Sequence, residues 1–151
     1  MSNEELKKSV SGIIPEAALE EGGQFLNVVI PALSLRQLAV QLRNDAALDF
    51  DYLFCLSGVD WKEYFYVVYH LTSRKNGHTI VVKAKIQDRL NPEVHTVSDL
   101  WRTAEFHERE VYDLFGIKFT AHPDLRRLFL DDTWGFPLRK DYRDDTTIVS
   151  L

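Results

Sequence analysis

Residues 64–87 read YFYVVYHLTSRKNGHTIVVKAKIQ, and this stretch decides the fold class. Two runs rich in Val, Ile, Tyr and Thr, 64–72 and 79–87, flank Ser73 to His78. Within that connection Asn76-Gly77 favours the positive φ of a tight reversal, so the stretch predicts an antiparallel hairpin. In the second run Lys83 and Lys85 share one face, while Val82, Ala84 and Ile86 share the other. One side of the sheet is therefore expected to be covered and the other partly wet.

Upstream, DYLFCLSG (51–58) and FLNVVIP (25–31) read as further strands, the latter bounded by glycines and Pro31. Between them SLRQLAVQLRND places Leu35, Leu38, Ala39 and Leu42 on one helical face, with Ser34 as the expected N-cap. The first residues, broken by Gly12 and Pro15, predict only a short, weakly anchored helix. Downstream, Thr96 and Asp99 have capping-box spacing and Gly116 is a natural stop, so a helix over 97–115 is expected. The last 35 residues carry Pro123, Gly135 and Pro137 among many charges, which predicts an extended tail with one helical turn near 124–128. The reading is an α+β fold, helices packed on a mainly antiparallel sheet, with an extended C-terminal tail. Its parts are a weakly ordered N-terminal segment (1–24), an α+β domain (25–119) and a partner-binding tail (120–151).

Bulk composition narrows the chemistry. A chain of 151 residues, 45% hydrophobic and 27% charged, suffices for one core. Its net charge of -5 offers no positive field for nucleic acid or anionic lipid. Cys55 is the only cysteine, which excludes an internal disulfide and any cluster needing several thiolates from this chain. No apolar run approaches the roughly 20 residues that span a bilayer, and the charged opening residues lack a signal core, so the chain is expected to be soluble and untargeted.

The motif EFHEREVYDLFG (105–116) crowds Glu108, Arg109, Glu110 and Asp113 together. Trp101, Ala104, Val111 and Phe115 fall on one helical face, and Glu108 falls in their midst. Arg109 lies four residues from both Glu105 and Asp113, the spacing of helical ion pairs. A zinc-protease helix would need a second His where Val111 stands, and a dimetal site would need Glu-x-x-His pairs that neither Glu105 nor Glu108 supplies. Two carboxylates flanking a cleft remain open as an acid and base pair. Otherwise Glu108 is expected to pair with an arginine, because an unpaired buried charge costs on the order of 3 to 5 kcal/mol. Arg126, Arg127 and Arg139 are the candidates. From Trp101 to Arg143 eight basic residues balance eight acidic ones, which favours ion pairing over phosphate binding. Trp134, Phe136 and Leu138 sit in this charged tail, where aromatic and arginine composition suits an interface centre.

Taken together, EREVYDLFGIKFTAHPDLRRLFL and GFPLRKDY resemble the signature of the C subunit of the respiratory complex I (NADH:quinone oxidoreductase) family. The likeness rests on Glu108, Arg109, Glu110, Asp113, Gly116, His122, Pro123 and the closing Pro-Leu-Arg-Lys-Asp, with GVDW and VVYHL upstream. The resemblance implies a non-catalytic peripheral-arm subunit of a proton-translocating enzyme, with no catalytic, cofactor-binding or metal-binding residues of its own. It implies partners in the D subunit, which forms the quinone pocket, and in the cluster-bearing B and I subunits, with iron-sulfur clusters and FMN in other subunits. The location it implies is the cytoplasmic face of a bacterial inner membrane, or the matrix or stroma side in an organelle. Related subunits serve plastoquinone-reducing complexes and ion-pumping membrane-bound hydrogenases, and an adaptor outside any such complex is a further alternative. On this reading Arg126 and Arg127, the aromatic positions Trp134 and Phe136, and the strip Pro137, Leu138, Arg139, Lys140 and Asp141 face a partner.

Overall fold

The computed structural model describes residues 2–20, 23–126 and 135–139. The elements run α1 (Asn3–Ile13), β1 (Ala18–Glu20), β2 (Leu26–Pro31), a 3-10 turn at Ala32–Ser34, α2 (Leu35–Asn44), β3 (Tyr52–Asp60), β4 (Phe65–Ser73), β5 (His78–Ile86), β6 (Glu93–His95), α3 (Ala104–Phe115) and β7 (Lys118–Thr120). Five strands form one sheet in the order β1-β2-β5-β4-β3, antiparallel except where β2 runs parallel to β5. A second, parallel pair joins β6 to β7. This is the expected α+β fold on a mainly antiparallel sheet.

The hairpin forms as its sequence dictates. Ser73 pairs with His78, Gly77 takes φ 69, and its N–H donates to the Ser73 carbonyl at 2.8 Å. Ile80, Val82, Ala84 and Ile86 enter the core, whereas Thr79, Lys83 and Lys85 on the other face are half-buried. Leu35, Leu38, Ala39 and Leu42 of α2 are all buried in that core.

Three expectations are corrected. The N-terminal helix is firmly anchored: Ser2 caps it by accepting from the Glu5 N–H, and Leu6, Val10 and Ile14 bury fully at one-turn spacing. The 3-10 turn, not a side-chain cap, leads into α2, and the Ser34 hydroxyl donates instead to Glu16 at 3.1 Å. The third helix starts at Ala104, seven residues later than expected. The preceding turns are held by tertiary bonds, from the Trp101 indole N–H to the Phe50 carbonyl at 2.8 Å and from the Thr103 hydroxyl to the Leu53 carbonyl at 2.9 Å. Asp99 does not complete a capping box, because it forms a bidentate pair with Arg36 of α2 at 2.7 and 2.6 Å.

At the other end of α3 the stop is where the glycine predicts it. Gly116 takes φ 76, and its N–H donates to the Tyr112 carbonyl at 2.8 Å. A β-carbon here would come within 2.7 Å of the Phe136 ring and 2.9 Å of an Arg139 nitrogen. Gly116→Ala is therefore expected to lower stability by about 2 kcal/mol, combining left-handed strain with displacement of Phe136, as read by urea denaturation. An unchanged midpoint would contradict that packing.

Candidate functional site

Trp101, Ala104, Glu108, Val111 and Phe115 are all buried, as the helical spacing requires, and Glu108 is 0% exposed. The expected arginine partner is absent among the described residues. Glu108 Oε2 accepts from the Val97 N–H at 2.9 Å, and Oε1 lies in hydrogen-bond contact with the Thr96 hydroxyl. The third neighbour is His122, whose Nε2 lies 3.7 Å from Oε1. The Asp124 N–H donates to His122 Nδ1 at 2.9 Å, so that nitrogen is bare and the ring's hydrogen sits on Nε2. From there it donates to the Glu105 carbonyl at 2.9 Å. This tautomer is uncharged, and Glu108 has neutral donors around it.

The consequence is a carboxyl pushed up to about 7, chiefly by burial. Bonds from Thr96 and Val97 oppose that shift, while the negative charges of Asp99 and Glu105 add to it. Tyr69, buried beneath the site, is in turn held well above its ordinary value by burial and by Glu108's charge.

The other motif residues separate. Asp113, whose spacing suggests an ion pair with Arg109, is also fully buried. Among the described residues Arg109 pairs with neither Glu105 nor Asp113, and its half-buried side chain leaves Nε without a hydrogen-bond partner. Glu110 is half-buried beside Gly58, Leu114 and Leu138. Pro123 borders an open cleft of about 400 Å³ with His95, Asp99, Arg102 and Glu105.

Arg126 is exposed and pairs with Asp124 at 3.2 Å, not with Glu108. Residues 135–139 dock on the C-terminal end of α3. The Leu138 N–H donates to the Leu114 carbonyl at 3.1 Å, and Arg139 Nε donates to the Phe115 carbonyl. A helix end leaves carbonyls unsatisfied and carries partial negative charge, so a guanidinium is a natural cap. Arg139 also lies 5.2 Å from the ring centroids of both Phe65 and Phe136. Phe136, Pro137 and Arg139 are thus half-buried against their own domain, and Leu138 stays 43% exposed. Arg127, Trp134, Lys140 and Asp141 lie outside the described residues, as does most of the expected 124–128 turn; residues 124–126 are not helical.

Two sets of contacts are not readable from the sequence. Thr96 and Val97 hold the Glu108 carboxyl from 12 and 11 residues away, and no local spacing reports such a contact. The Asp60–Arg89 pair at 2.6 and 3.1 Å also goes unannounced, although Asp60 is nearly buried.

With this geometry in place, residues 28–147 match the family described as respiratory-chain NADH dehydrogenase, 30 Kd subunit. The chain belongs to that family. Similar proteins include the C subunit of an NADH-quinone oxidoreductase from Roseiflexus castenholzii, 38% identical over 147 residues, covering 93% of this chain and 84% of the relative. A joined C/D subunit from Phocaeicola vulgatus is 50% identical over 117 residues, 76% of this chain, but only 22% of the relative. The chain spans under a quarter of the length of that joined relative. Among solved structures, one from the membrane-bound sulfane sulfur reductase, an archaeal respiratory membrane complex, superposes with a TM-score of 0.66 at 26% identity, covering 92% of this chain and 84% of that one. The recognised motifs and the family match therefore agree.

Proposed function

We propose that this chain is a non-catalytic peripheral-arm subunit of a proton-translocating NADH:quinone oxidoreductase, bracing the quinone-pocket subunit while electrons pass to quinone. The match to a C subunit over nearly the whole of both chains carries this reading. The burial of Glu108 and Asp113 in the packing of α3 supports a structural role. A relative whose name joins C and D favours the D subunit as a direct neighbour. In this reading the iron-sulfur clusters and FMN reside in other subunits, B and I lie nearby, and the chain sits on the cytoplasmic face of the membrane. No helix among the described residues is long and apolar enough to cross a membrane. The likeness to the sulfane sulfur reductase favours, as a second reading, the equivalent subunit of a related respiratory membrane complex.

The partner-facing surface on this view centres on exposed Leu138 and Arg126, with Phe106 on the outer side of α3. An N-terminally tagged chain, recovered from gently solubilised membranes, is expected to bring down cluster-bearing and membrane subunits with NADH:quinone activity. The double variant Leu138→Asp, Arg126→Glu should reduce that recovery by about tenfold or more, the effect of losing a central anchor. Recovery of the tagged chain alone, beside a complete and active complex lacking it, would refute the subunit reading. Activity with sulfane sulfur in place of quinone would select the second.

A further inference from the structure

Glu108 is buried with only neutral donors in hydrogen-bond contact among the described residues, a setting in which an ionised carboxylate has no counter-charge. Thr96 Oγ1 lies in contact with Glu108 Oε1 and 2.9 Å from Ser98 Oγ, while it accepts the Ser98 N–H at 3.1 Å. Each hydroxyl has one hydrogen and two lone pairs, so Thr96 donates to Ser98 when the carboxyl donates to it, and accepts from Ser98 when it donates to the carboxylate. With a proton on Glu108 Oε1 every group is served: the carboxyl donates to Thr96, Thr96 donates to Ser98, and Oε2 accepts the Val97 N–H. Without that proton Thr96 turns its hydrogen to Glu108, the Ser98 hydroxyl donates to Thr96 in its place, and a charge stays buried among neutral donors.

His122 faces a similar choice. Its Nε2–H donates to the Glu105 carbonyl at 2.9 Å with Glu108 Oε1 only 3.7 Å away. The ring is mounted on a strained turn, because the preceding Ala121 holds φ 64, a left-handed conformation that L-residues rarely adopt. A negative charge at Oε1 draws the Nε2–H away from Glu105, and the turn at its strained point can follow.

We propose that the Glu108 carboxyl is a proton-binding site whose occupancy sets the hydrogen-bond partner of His122, and through it the position of the turn at 121–124. This turn is where the chain leaves β7 for Arg126 and the C-terminal strip. The other ionisable groups facing the site are Glu105 on α3, His95 and Asp99 in the segment before it, Tyr69 on β4, and Arg36 of α2. Arg36 is already committed to Asp99 and to the Thr96 carbonyl at 3.3 Å. No free cation faces the carboxyl among the described residues.

The test is a pH titration of the full-length chain by NMR from about pH 5 to 9, reading the Glu108 carboxyl carbon and the Val97 and Asp124 amides. The expected result is one shared midpoint near 7 for all three signals. In Glu108→Gln the Asp124 amide should lose its transition. Three outcomes overturn the proposal: a carboxyl midpoint below about 5, an Asp124 midpoint more than about one pH unit from that of the carboxyl, or an Asp124 transition that persists in Glu108→Gln, which would make it His122's own titration. The first two need only the unaltered chain, so they decide even where the variant does not fold.

Discussion

Glu108→Gln is expected to raise the unfolding free energy of the chain by about 3 kcal/mol at about pH 8, but by less than about 1 kcal/mol at about pH 5. An unfolded glutamate ionises near 4.5, whereas in the fold this carboxyl keeps its proton until about 7. Between those values the native state binds more protons than the unfolded one, so stability falls as pH rises through the window and the loss is complete above it. Glutamine keeps the two contacts that the protonated acid makes, an oxygen accepting from Val97 and a donor toward Thr96, but cannot ionise. The wild-type curve also contains terms of opposite sign. Burial, with help from Lys83, holds His70 below its ordinary value and favours the fold as pH rises toward 6.5. Bonds from Arg74 and Arg36 lower Asp51 and Asp99, whose contributions are lost only as pH falls below the ordinary carboxylate range. Subtracting the wild-type from the Gln urea-denaturation curve removes these shared terms. A difference that stayed flat across that pH range would mean Glu108 is not buried as described. Glu108→Ala, which deletes the contacts and leaves a void, should be destabilised at about pH 5 by about 2 kcal/mol.

The inward direction of Glu108 was legible, but its partners were not. Helical periodicity alone put it among Trp101, Ala104, Val111 and Phe115, because about 3.6 residues per turn is a local rule. The expectation of an arginine assumed a charged carboxylate; a carboxyl that keeps its proton needs only neutral donors, and the fold brings these from Thr96 and Val97. The same threonine explains the misplaced helix start. A Thr followed three residues later by Asp looks like a capping box in sequence, yet here Thr96 takes the Ser98 N–H in a local turn and Asp99 is drawn off by Arg36. The hairpin was readable because alternation and Asn76-Gly77 act locally. The N-terminal helix is better anchored than Gly12 and Pro15 suggest, because Leu6, Val10 and Ile14 recur at one-turn spacing and bury together.

A glycine whose reason is wholly tertiary supplies the other large effect. Gly58→Val is expected to cost about 3 kcal/mol, at the upper end for overpacking a filled core. A β-carbon at Gly58 would fall 2.8 and 2.9 Å from two atoms of the Phe115 ring and 3.2 Å from a Val111 methyl. Phe115 has little room to retreat: its ring meets Phe65 edge-on at 6.4 Å, and its carbonyl is held by Arg139. The strain must therefore move α3 off β3, although Thr103 ties the start of the helix to Leu53. Gly12 provides the contrast, since it lies inside α1 with nothing within 4 Å of the position a β-carbon would take. Gly12→Ala should stabilise the chain by about 0.5 to 1 kcal/mol through helix propensity. Thermal or urea denaturation of the two variants should move the midpoint in opposite directions. If Gly58→Val unfolded with the wild-type midpoint, the close approach of β3 to α3 would be wrong, and with it the packing that carries Glu108 into the core.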